Sequence, residues 1–178
     1  SGSMNNDGDN PPQPVTSVLQ AAYSFVNRLQ PNDQIGIVTF ATEAEIANRL
    51  TTEKAAVAEE VISLAIAPKE EVGNTNTGDA LLLGGQELLS DRHNGEARKV
   101  LVLLTDGLAT APDEPEAYAI AGADLIKTGD VNIFTIGLGE NVNMEFVTAV
   151  ASNPAQAYRA VSVNDVDNIY KTITASIC

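Results

Sequence analysis

The fold is decided by Val100-Leu101-Val102-Leu103-Leu104 and the polar turn that ends it, Thr105-Asp106-Gly107. A continuous apolar run of this length is typical of a strand that helices cover on both faces. Working outward, Ile35–Phe40 and Val131–Ile136 are further apolar strands, and the segments between them carry apolar residues at helical spacing. The sequence therefore predicts strands that alternate with helices.

This alternation predicts an α/β fold with a doubly wound, mostly parallel sheet and helices on both faces. We expect a single domain over residues 1–178. The predicted elements are a helix over Val15–Leu29, strands over Ile35–Phe40 and (at an edge) Glu45–Leu50, helices over Val57–Leu64 and Ala80–Leu88, strand Val100–Leu104, helix Glu116–Lys127, strand Val131–Ile136, helix Asn143–Ala151, strand Tyr158–Val161 and a closing helix from Asn164, its expected cap.

Small hydroxyls and a carboxylate lie on three separate loops of the predicted fold. In parallel sheets, ligands bind beyond the carboxyl ends of the strands. The loops that carry Ser1 and Ser3, Thr75, and Asp106 are expected to meet at that rim. Hydroxyl and carboxylate oxygens are ligands that suit magnesium, manganese or calcium. The sequence therefore predicts a site for a hard divalent cation.

These residues resemble the metal-ion-dependent adhesion site of von Willebrand factor A domains. The pattern of that family is Asp-x-Ser-x-Ser after the first strand, a Thr in a Gly-rich loop, and an Asp after a later apolar strand. Ser1-Gly2-Ser3-Met4 resembles the end of the first element, Gly73-Asn74-Thr75-Asn76-Thr77-Gly78-Asp79 the second, and Asp106 the third. The resemblance extends over nearly the whole chain and implies the Rossmann-like fold of the family.

The resemblance also implies a function. It implies a cation held by the hydroxyls of Ser1, Ser3 and Thr75 and by the acid of Asp106, with one position left for a Glu or Asp of a protein partner. Magnesium is the expected ion, and manganese or calcium are alternatives. The implied activity is that of a non-enzymatic, adhesion-type binding module, extracellular or at the cell surface, with a cytoplasmic setting as the alternative.

Several residues near the proposed site have a second interpretation. Thr77 could replace Thr75 as a ligand, but the preferred interpretation is a helix cap. Asp7 and Asp9 could hold a second cation, but a solvated acidic turn is preferred. Ser1-Gly2-Ser3-Met4 taken alone also fits a cloning remnant.

The sequence departs from the family pattern at its start. The leading Asp, two residues before Ser1, and the central strand that carries it are absent from the sequence. We therefore expect unpaired backbone groups and an apolar slot between Ile35–Phe40 and Val100–Leu104. Because each buried, unmade hydrogen bond costs about 1–3 kcal/mol, either the natural polypeptide begins earlier, within a larger chain, or another segment fills the slot. The first is the preferred interpretation.

The composition argues against several classes of function. A net charge of −14, with only ten Lys and Arg residues, argues against nucleic-acid binding. No apolar run approaches the roughly 20 residues that a spanning helix needs, so we expect no membrane insertion within this segment. The sole cysteine, Cys178, cannot form a disulfide within the chain. It is either a small apolar end residue or half of a bridge to another segment.

Two other classes of protein are weighed against the binding module. A phosphotransfer enzyme would place an acid such as Asp106 beside magnesium, but no general base, phosphate-cradling loop or Lys accompanies it. Gly137-Leu138-Gly139 lacks the third glycine of a dinucleotide fingerprint. The alternative to the adhesion-type module is a scaffold domain of a multi-protein complex, with a structural or vestigial cation site.

Overall fold

The computed structural model describes residues 14–64, 73–106, 108–139 and 142–177. In chain order, the elements within these ranges are α1 (Pro14–Arg28), β1 (Ile35–Phe40), β2 (Ala44–Thr51), α2 (Lys54–Ser63), α3 (Thr77–Leu88), β3 (Lys99–Thr105), α4 (Pro115–Lys127), β4 (Val131–Leu138), α5 (Met144–Val150), a 3-10 turn (Pro154–Gln156), β5 (Ala157–Ala160) and α6 (Val163–Ile177). Every predicted helix and strand is present, with its ends shifted by at most a few residues. No helix in the described ranges has both the length and the apolar composition needed to cross a membrane.

The predicted cap of α6 is wrong. Ser162 Oγ accepts a hydrogen bond from the Asp165 N–H (3.3 Å), and Asp165 Oδ2 accepts one from the Ser162 N–H (2.8 Å). This reciprocal arrangement is a capping box, in which two otherwise unpaired N–H groups at a helix start are satisfied. The cap is therefore Ser162, and Asn164 lies inside the first turn.

Three strands form a parallel sheet in the order β3-β4-β5. Leu101 pairs with Ile133, and Ile136 pairs with Tyr158. The strands are parallel because a helix crosses over between each consecutive pair, α4 between β3 and β4 and α5 between β4 and β5. The carboxyl ends of β3, β4 and β5 therefore lie at one rim.

Helices cover both faces of this sheet. Successive residues of a strand point to opposite faces, so Leu103 packs in the core formed with α3, α4 and α5, whereas Val102 packs in the core formed with α1 and α6. Ile133 and Phe134 of β4 divide between the same two cores. This layering confirms the predicted doubly wound α/β arrangement.

The other two strands form a separate antiparallel sheet. β1 pairs with β2, with Val38 opposite Ile46 and Phe40 opposite Ala44. Within the described ranges, β1 has no other strand partner, and β3 pairs only with β4. The strands therefore divide into two sheets at the position between β1 and β3 where the sequence analysis expects the missing central strand.

A cavity of about 850 Å³ separates the two sheets, and residues 35–40 of β1 and 100–105 of β3 line it. It confirms the predicted apolar slot between these strands.

Hydrogen bonds at both ends of the slot connect the two sheets. Gln34, directly before β1, donates from Nε2 to the Arg92 carbonyl (2.8 Å) and accepts at Oε1 from the Asn94 N–H (2.7 Å). At the other end, the Asn76 N–H donates to the carbonyl of Ala41, directly after β1 (2.7 Å). Because the segment of Arg92 leads into β3, the amino ends of β1 and β3 lie together, and the two strands run in the same direction.

Candidate metal centre

Three loops meet at the carboxyl ends of β1 and β3. The Thr75 N–H donates to Thr110 Oγ1 (2.7 Å), and the Thr110 N–H donates to the Thr75 carbonyl (2.9 Å). The Asn76 N–H donates to the carbonyl of Ala41. The loop of Thr75 is thus attached to the residue after β1 on one side and to the segment that follows Asp106 on the other.

Two of the predicted ligands lie on these adjoining loops. Thr75 is 6% exposed, and Asp106 is half-buried directly after β3, where it lines the slot. Their role as metal ligands stays a prediction. Among the candidate functional residues, Ser1, Ser3, Asp7, Asp9 and Cys178 lie outside the described ranges.

Helix α3 begins directly after this loop, and Asn76 caps it. Asn76 Oδ1 accepts from the Asp79 N–H (3.1 Å), and its Nδ2 donates to Asp79 Oδ2 (2.6 Å). Asn is among the preferred caps, and an acid in the first turn, here Asp79, interacts favourably with the helix dipole. The interpretation of Thr77 as the cap is wrong, because Asn76 occupies that position.

Thr77 is the first residue of α3, and its side chain is completely buried. Its Oγ1 has no hydrogen-bond partner among the described residues. Buried polar groups are nearly always paired, and leaving one unpaired costs about 1–3 kcal/mol.

Helix α4 contacts the first turn of α3 beside this rim. The Tyr118 hydroxyl donates to Asp79 Oδ1 (2.7 Å), and this hydrogen bond raises the pKa of Tyr118 above its ordinary value. Gly78 makes the approach possible, because an added Cβ would lie 2.2 Å from Tyr118 Cδ1. With Asn76 on its other oxygen, Asp79 is engaged by two partners and anchors the first turn of α3.

Sequence reasoning missed three of these residues. An Asn three residues before an acid, at the start of an apolar periodic segment, is a helix-start signal that could have identified Asn76. Thr110 and Tyr118 bond to residues 35 and 39 positions away. Periodicity along the chain carries no signal for such contacts.

The donors present fit a hard cation better than a soft one. The described ranges contain no group of three or more His, Cys, Asp or Glu side chains placed to hold a metal ion. An ion at this rim would therefore depend on hydroxyl oxygens, such as that of Thr75, beside the carboxylate of Asp106. Magnesium, manganese and calcium accept such oxygen ligands, whereas soft ions favour thiolates.

Residues 1–174 match the family model of the von Willebrand factor type A domain. The chain belongs to this family. The match extends over nearly all of the sequence and agrees with the order of elements described above, so the predicted family is confirmed.

Relatives of this von Willebrand factor A domain come from diverse organisms. The UPF0353 protein of Mycolicibacterium paratuberculosis is 28% identical over 191 residues, which cover 95% of this chain and 56% of that protein. The structure of proximal thread matrix protein 1 from the mussel byssus, with a zinc-occupied MIDAS motif, has a TM-score of 0.81 at 18% identity and covers 98% of this chain and 44% of that one. The vWF domain of a type V pili tip protein from Porphyromonas gingivalis has a TM-score of 0.78 at 14% identity. The match covers 100% of this chain and 93% of that domain's chain.

These comparisons support a protein-interaction module. The domain spans 56% and 40% of two of the curated relatives that it matches. At 18% and 14% identity, the solved structures show the shared fold alone. The two neighbours are a thread matrix protein and a pili tip protein, and in the first of them the MIDAS motif holds zinc.

Proposed function

We propose that this von Willebrand factor A domain is a metal-dependent, non-enzymatic binding module that presents a divalent cation to an acidic side chain of a protein partner. The observation that carries the proposal is the pair of hydrogen bonds between Thr75 and Thr110. They attach the loop of one proposed ligand, Thr75, to the segment that follows the other, Asp106. The mussel matrix protein and the pili tip protein, which share the fold, support an adhesive setting at a cell surface or outside the cell.

The proposed donor set combines one charge with several neutral oxygens. Asp106 supplies the carboxylate, and Thr75, Ser1 and Ser3 supply hydroxyl oxygens. Magnesium prefers six oxygen ligands and keeps several waters, so this set leaves room for an oxygen from outside. When bound, the ion would act as a Lewis acid. The single carboxylate of Asp106 would neutralise only part of the charge of the ion. The remaining charge would attract the Glu or Asp of a partner.

The acidity of the protein explains why a cation is needed. The formal net charge is −14, so a carboxylate that approaches the surface is repelled by charges of its own sign. A divalent cation at the rim reverses the sign of the local field at the one place where the partner's acid binds. We therefore expect binding of an acidic partner to depend almost completely on the metal.

The rim should survive removal of the ion. The loops of Ala41, Thr75 and Thr110 are joined by hydrogen bonds between protein atoms, and Asp79 is held by Asn76 and Tyr118. None of these contacts needs a metal. Chelation should therefore abolish partner binding while leaving the fold intact.

The proposal can be tested by NMR with two peptides that differ in one residue. One is an otherwise neutral peptide with a single central Glu, and the other carries Gln in its place. In magnesium, the Glu peptide should shift the amide signals of Thr75, Asn76 and Thr110, and the Gln peptide should not. EDTA and the Asp106→Ala substitution should each remove the shifts. Asp124→Ala, which removes an exposed acid from α4 (66% exposed), should leave them unchanged.

Three outcomes would count against the proposal. Equal shifts in EDTA, or equal shifts with the Gln peptide, would show that no metal–carboxylate contact forms. Binding of a protein partner that survives chelation would favour the scaffold alternative. Turnover of a phosphate ester that is lost in Asp106→Ala would place the protein among the enzymes.

A further inference from the structure

Arg159 is a basic residue at an acidic rim. Of the Lys and Arg residues in the described ranges, only Arg159 lies at the carboxyl ends of β3, β4 and β5 or in the loops that follow these strands. Acids are frequent there, since Asp106 follows β3 directly and the exposed Asp113 and Glu114 lie further along the same loop. In a protein with a formal net charge of −14, a cation at this rim is a place where a negative group of a partner is attracted.

The strand register places Arg159 near Asp106. Thr105, the last residue of β3, pairs with Gly137 of β4, and Gly137 pairs with Arg159 of β5. The three residues therefore form one row across the sheet. Neighbouring strands are about 4.8 Å apart, so the backbone of Arg159 lies about 10 Å from that of Thr105, the residue before Asp106. Two side chains of a single partner segment can span this distance.

The side chain of Arg159 extends along this row towards β4. Its Nη2 donates to the carbonyl of Val142 (3.5 Å). The side chain of Val142 lies against Gly137, the middle residue of the row, because a Cβ on Gly137 would be 2.9 Å from Val142 Cγ2. The guanidinium group is therefore turned to the side of β5 on which β3 and Asp106 lie.

The guanidinium group of Arg159 is open to solvent. Arginine carries five N–H donors in a planar fork that fits a carboxylate with two parallel hydrogen bonds, and the contact with Val142 uses one of them. The residue is exposed, and no Asp or Glu of the described ranges forms a salt bridge with it. Arg28, Arg49 and Arg92, in contrast, are each paired with an acid. Arg159 is thus able to receive a carboxylate from outside the domain.

We propose that Arg159 is a second anchor for the partner and binds a second carboxylate of the segment whose first acid coordinates the ion. This inference rests on the proposed function, because the ion fixes the first acid beside Asp106. In a polyproline-type conformation, with three residues per turn and about 3.1 Å per residue, acids separated by two residues lie on the same side about 9 Å apart. A partner segment with this pair of acids matches the spacing of the two anchors.

The test compares three peptides in a neutral Pro-Ala host, which favours this conformation. The spaced peptide carries Glu-x-x-Glu, the adjacent peptide carries Glu-Glu, and the single peptide carries Glu-x-x-Gln. The spaced and adjacent peptides have the same charge and the same number of acids that can bind the ion. The difference between these two peptides therefore reports the position of the second acid alone. Affinities are measured by NMR titration in magnesium and in EDTA.

In magnesium, the wild type should bind the spaced peptide about three- to fivefold more tightly than the adjacent peptide, as expected for a bidentate but exposed ion pair. Arg159→Gln should remove this preference, and Arg159→Lys, which keeps the charge without the fork, should keep part of it. Arg98→Gln removes an exposed Arg directly before β3, at the opposite end of that strand, and should keep all of it. The Nε–H signal of Arg159 should shift with the spaced peptide only.

Equal binding of the spaced and adjacent peptides by the wild type, or an unchanged preference in Arg159→Gln, would overturn the inference. Magnesium-dependent binding of the single peptide would in that case leave the proposed function intact. No binding of any peptide in magnesium, or equal binding in EDTA, would refute the proposed function and the inference with it. If far-UV circular dichroism shows that Arg159→Gln does not fold, the preference of the wild type and its Arg159 signal decide.

Discussion

Thr75 and Thr110 are joined by two hydrogen bonds of opposite direction, from the Thr75 N–H to Thr110 Oγ1 (2.7 Å) and from the Thr110 N–H to the Thr75 carbonyl (2.9 Å). Thr75 is buried, whereas Thr110 is exposed. The first bond needs a side chain and the second needs only backbone. A substitution at position 110 therefore removes the side-chain acceptor of the Thr75 N–H and leaves the backbone hydrogen bond, Thr75 and Asp106 in place.

Thr110→Val should loosen the loop of Thr75. The valine keeps the size and branching of the side chain but removes the acceptor of the Thr75 N–H, which costs about 1–3 kcal/mol of the free energy of unfolding if that group stays unpaired. Urea denaturation measures the loss, and amide exchange at Thr75 should become faster. Thr110→Ser, which keeps the hydroxyl, should behave like the wild type. A Thr110→Val protein as stable as Thr110→Ser would contradict this account of the rim.

Gly78→Ala should destabilise the junction of α3 and α4. The added methyl group would lie 2.2 Å from the Tyr118 ring, which the hydrogen bond to Asp79 holds in place. Overpacking of this kind costs about 1–3 kcal/mol and outweighs the gain of up to about 1 kcal/mol from the better helix propensity of Ala. The free energy of unfolding should fall in Gly78→Ala, and the same substitution should cost less in a Tyr118→Ala background, as a double-mutant cycle measures. Equal or higher stability of the single variant would be inconsistent with the close helix contact.

Protonation of Glu87 should lower the free energy of unfolding at acid pH. Its hydrogen bond with Arg92 (2.7 Å), together with the Leu50 N–H, lowers the pKa of Glu87 from 4.5 to about 2 although burial opposes the change. A lowered pKa in the folded state means that the stabilisation is present above the unfolded value and is lost as the pH falls from 4.5 to about 2.

The measurement is the free energy of unfolding of the wild type and Glu87→Gln at several pH values. The difference should be about 1.5–3 kcal/mol at neutral pH, the range for a hydrogen bond to a charged group, and should shrink towards pH 2. Glu59→Gln, an exposed substitution on α2, should show no such trend. A difference that stays constant down to pH 2 would disagree with the lowered pKa of Glu87.

The buried hydroxyl of Tyr170 should cause the free energy of unfolding to fall at alkaline pH. Burial raises the pKa of Tyr170 to about 12, whereas the pKa of a tyrosine in an unfolded chain is about 10. Because the folded pKa is the higher one, the stabilisation is complete below the unfolded value and is lost as the pH rises from about 10 to 12. Tyr170→Phe, which keeps the ring contact with Phe25, should lose less stability over this interval than the wild type or the exposed-site control Tyr23→Phe. Parallel curves for all three proteins would contradict the burial effect.

Much of the fold could be predicted because the spacing of apolar residues along the sequence reflects which faces of helices and strands are buried. The apolar run Val100–Leu104 corresponds to β3, Lys99–Thr105, and the helical spacing of Val15–Leu29 corresponds to α1, Pro14–Arg28. The slot beside β3 was predictable because the family pattern places a strand there. Burial by helices on two faces leaves a continuous apolar run, and this signal does not depend on which strand is the neighbour.

Long-range polar contacts could not be predicted. Glu87 directly follows Gln86 near the end of α3. Only the folded structure shows that Glu87 is buried and that Arg92 and the Leu50 N–H compensate its burial. The hydroxyl of Thr110 is likewise one of many in the loops, and nothing in the local sequence links it to Thr75. Helix caps are only partly predictable from the local sequence. Asn76 and Ser162 both fit known spacing rules, and the choice of Asn164 failed because Ser162 and Asp165 form the capping box.

The most direct test of the central claim is isothermal titration calorimetry of magnesium with the wild type, Thr75→Ala and Asp106→Ala. Thr172→Ala and Asp124→Ala remove the same groups from the surfaces of α6 and α4 and serve as matched controls. We predict saturable binding of one ion by the wild type and both controls, and loss of binding in Thr75→Ala and Asp106→Ala. Unchanged affinity in these two variants would contradict the assignment of a metal site to this rim.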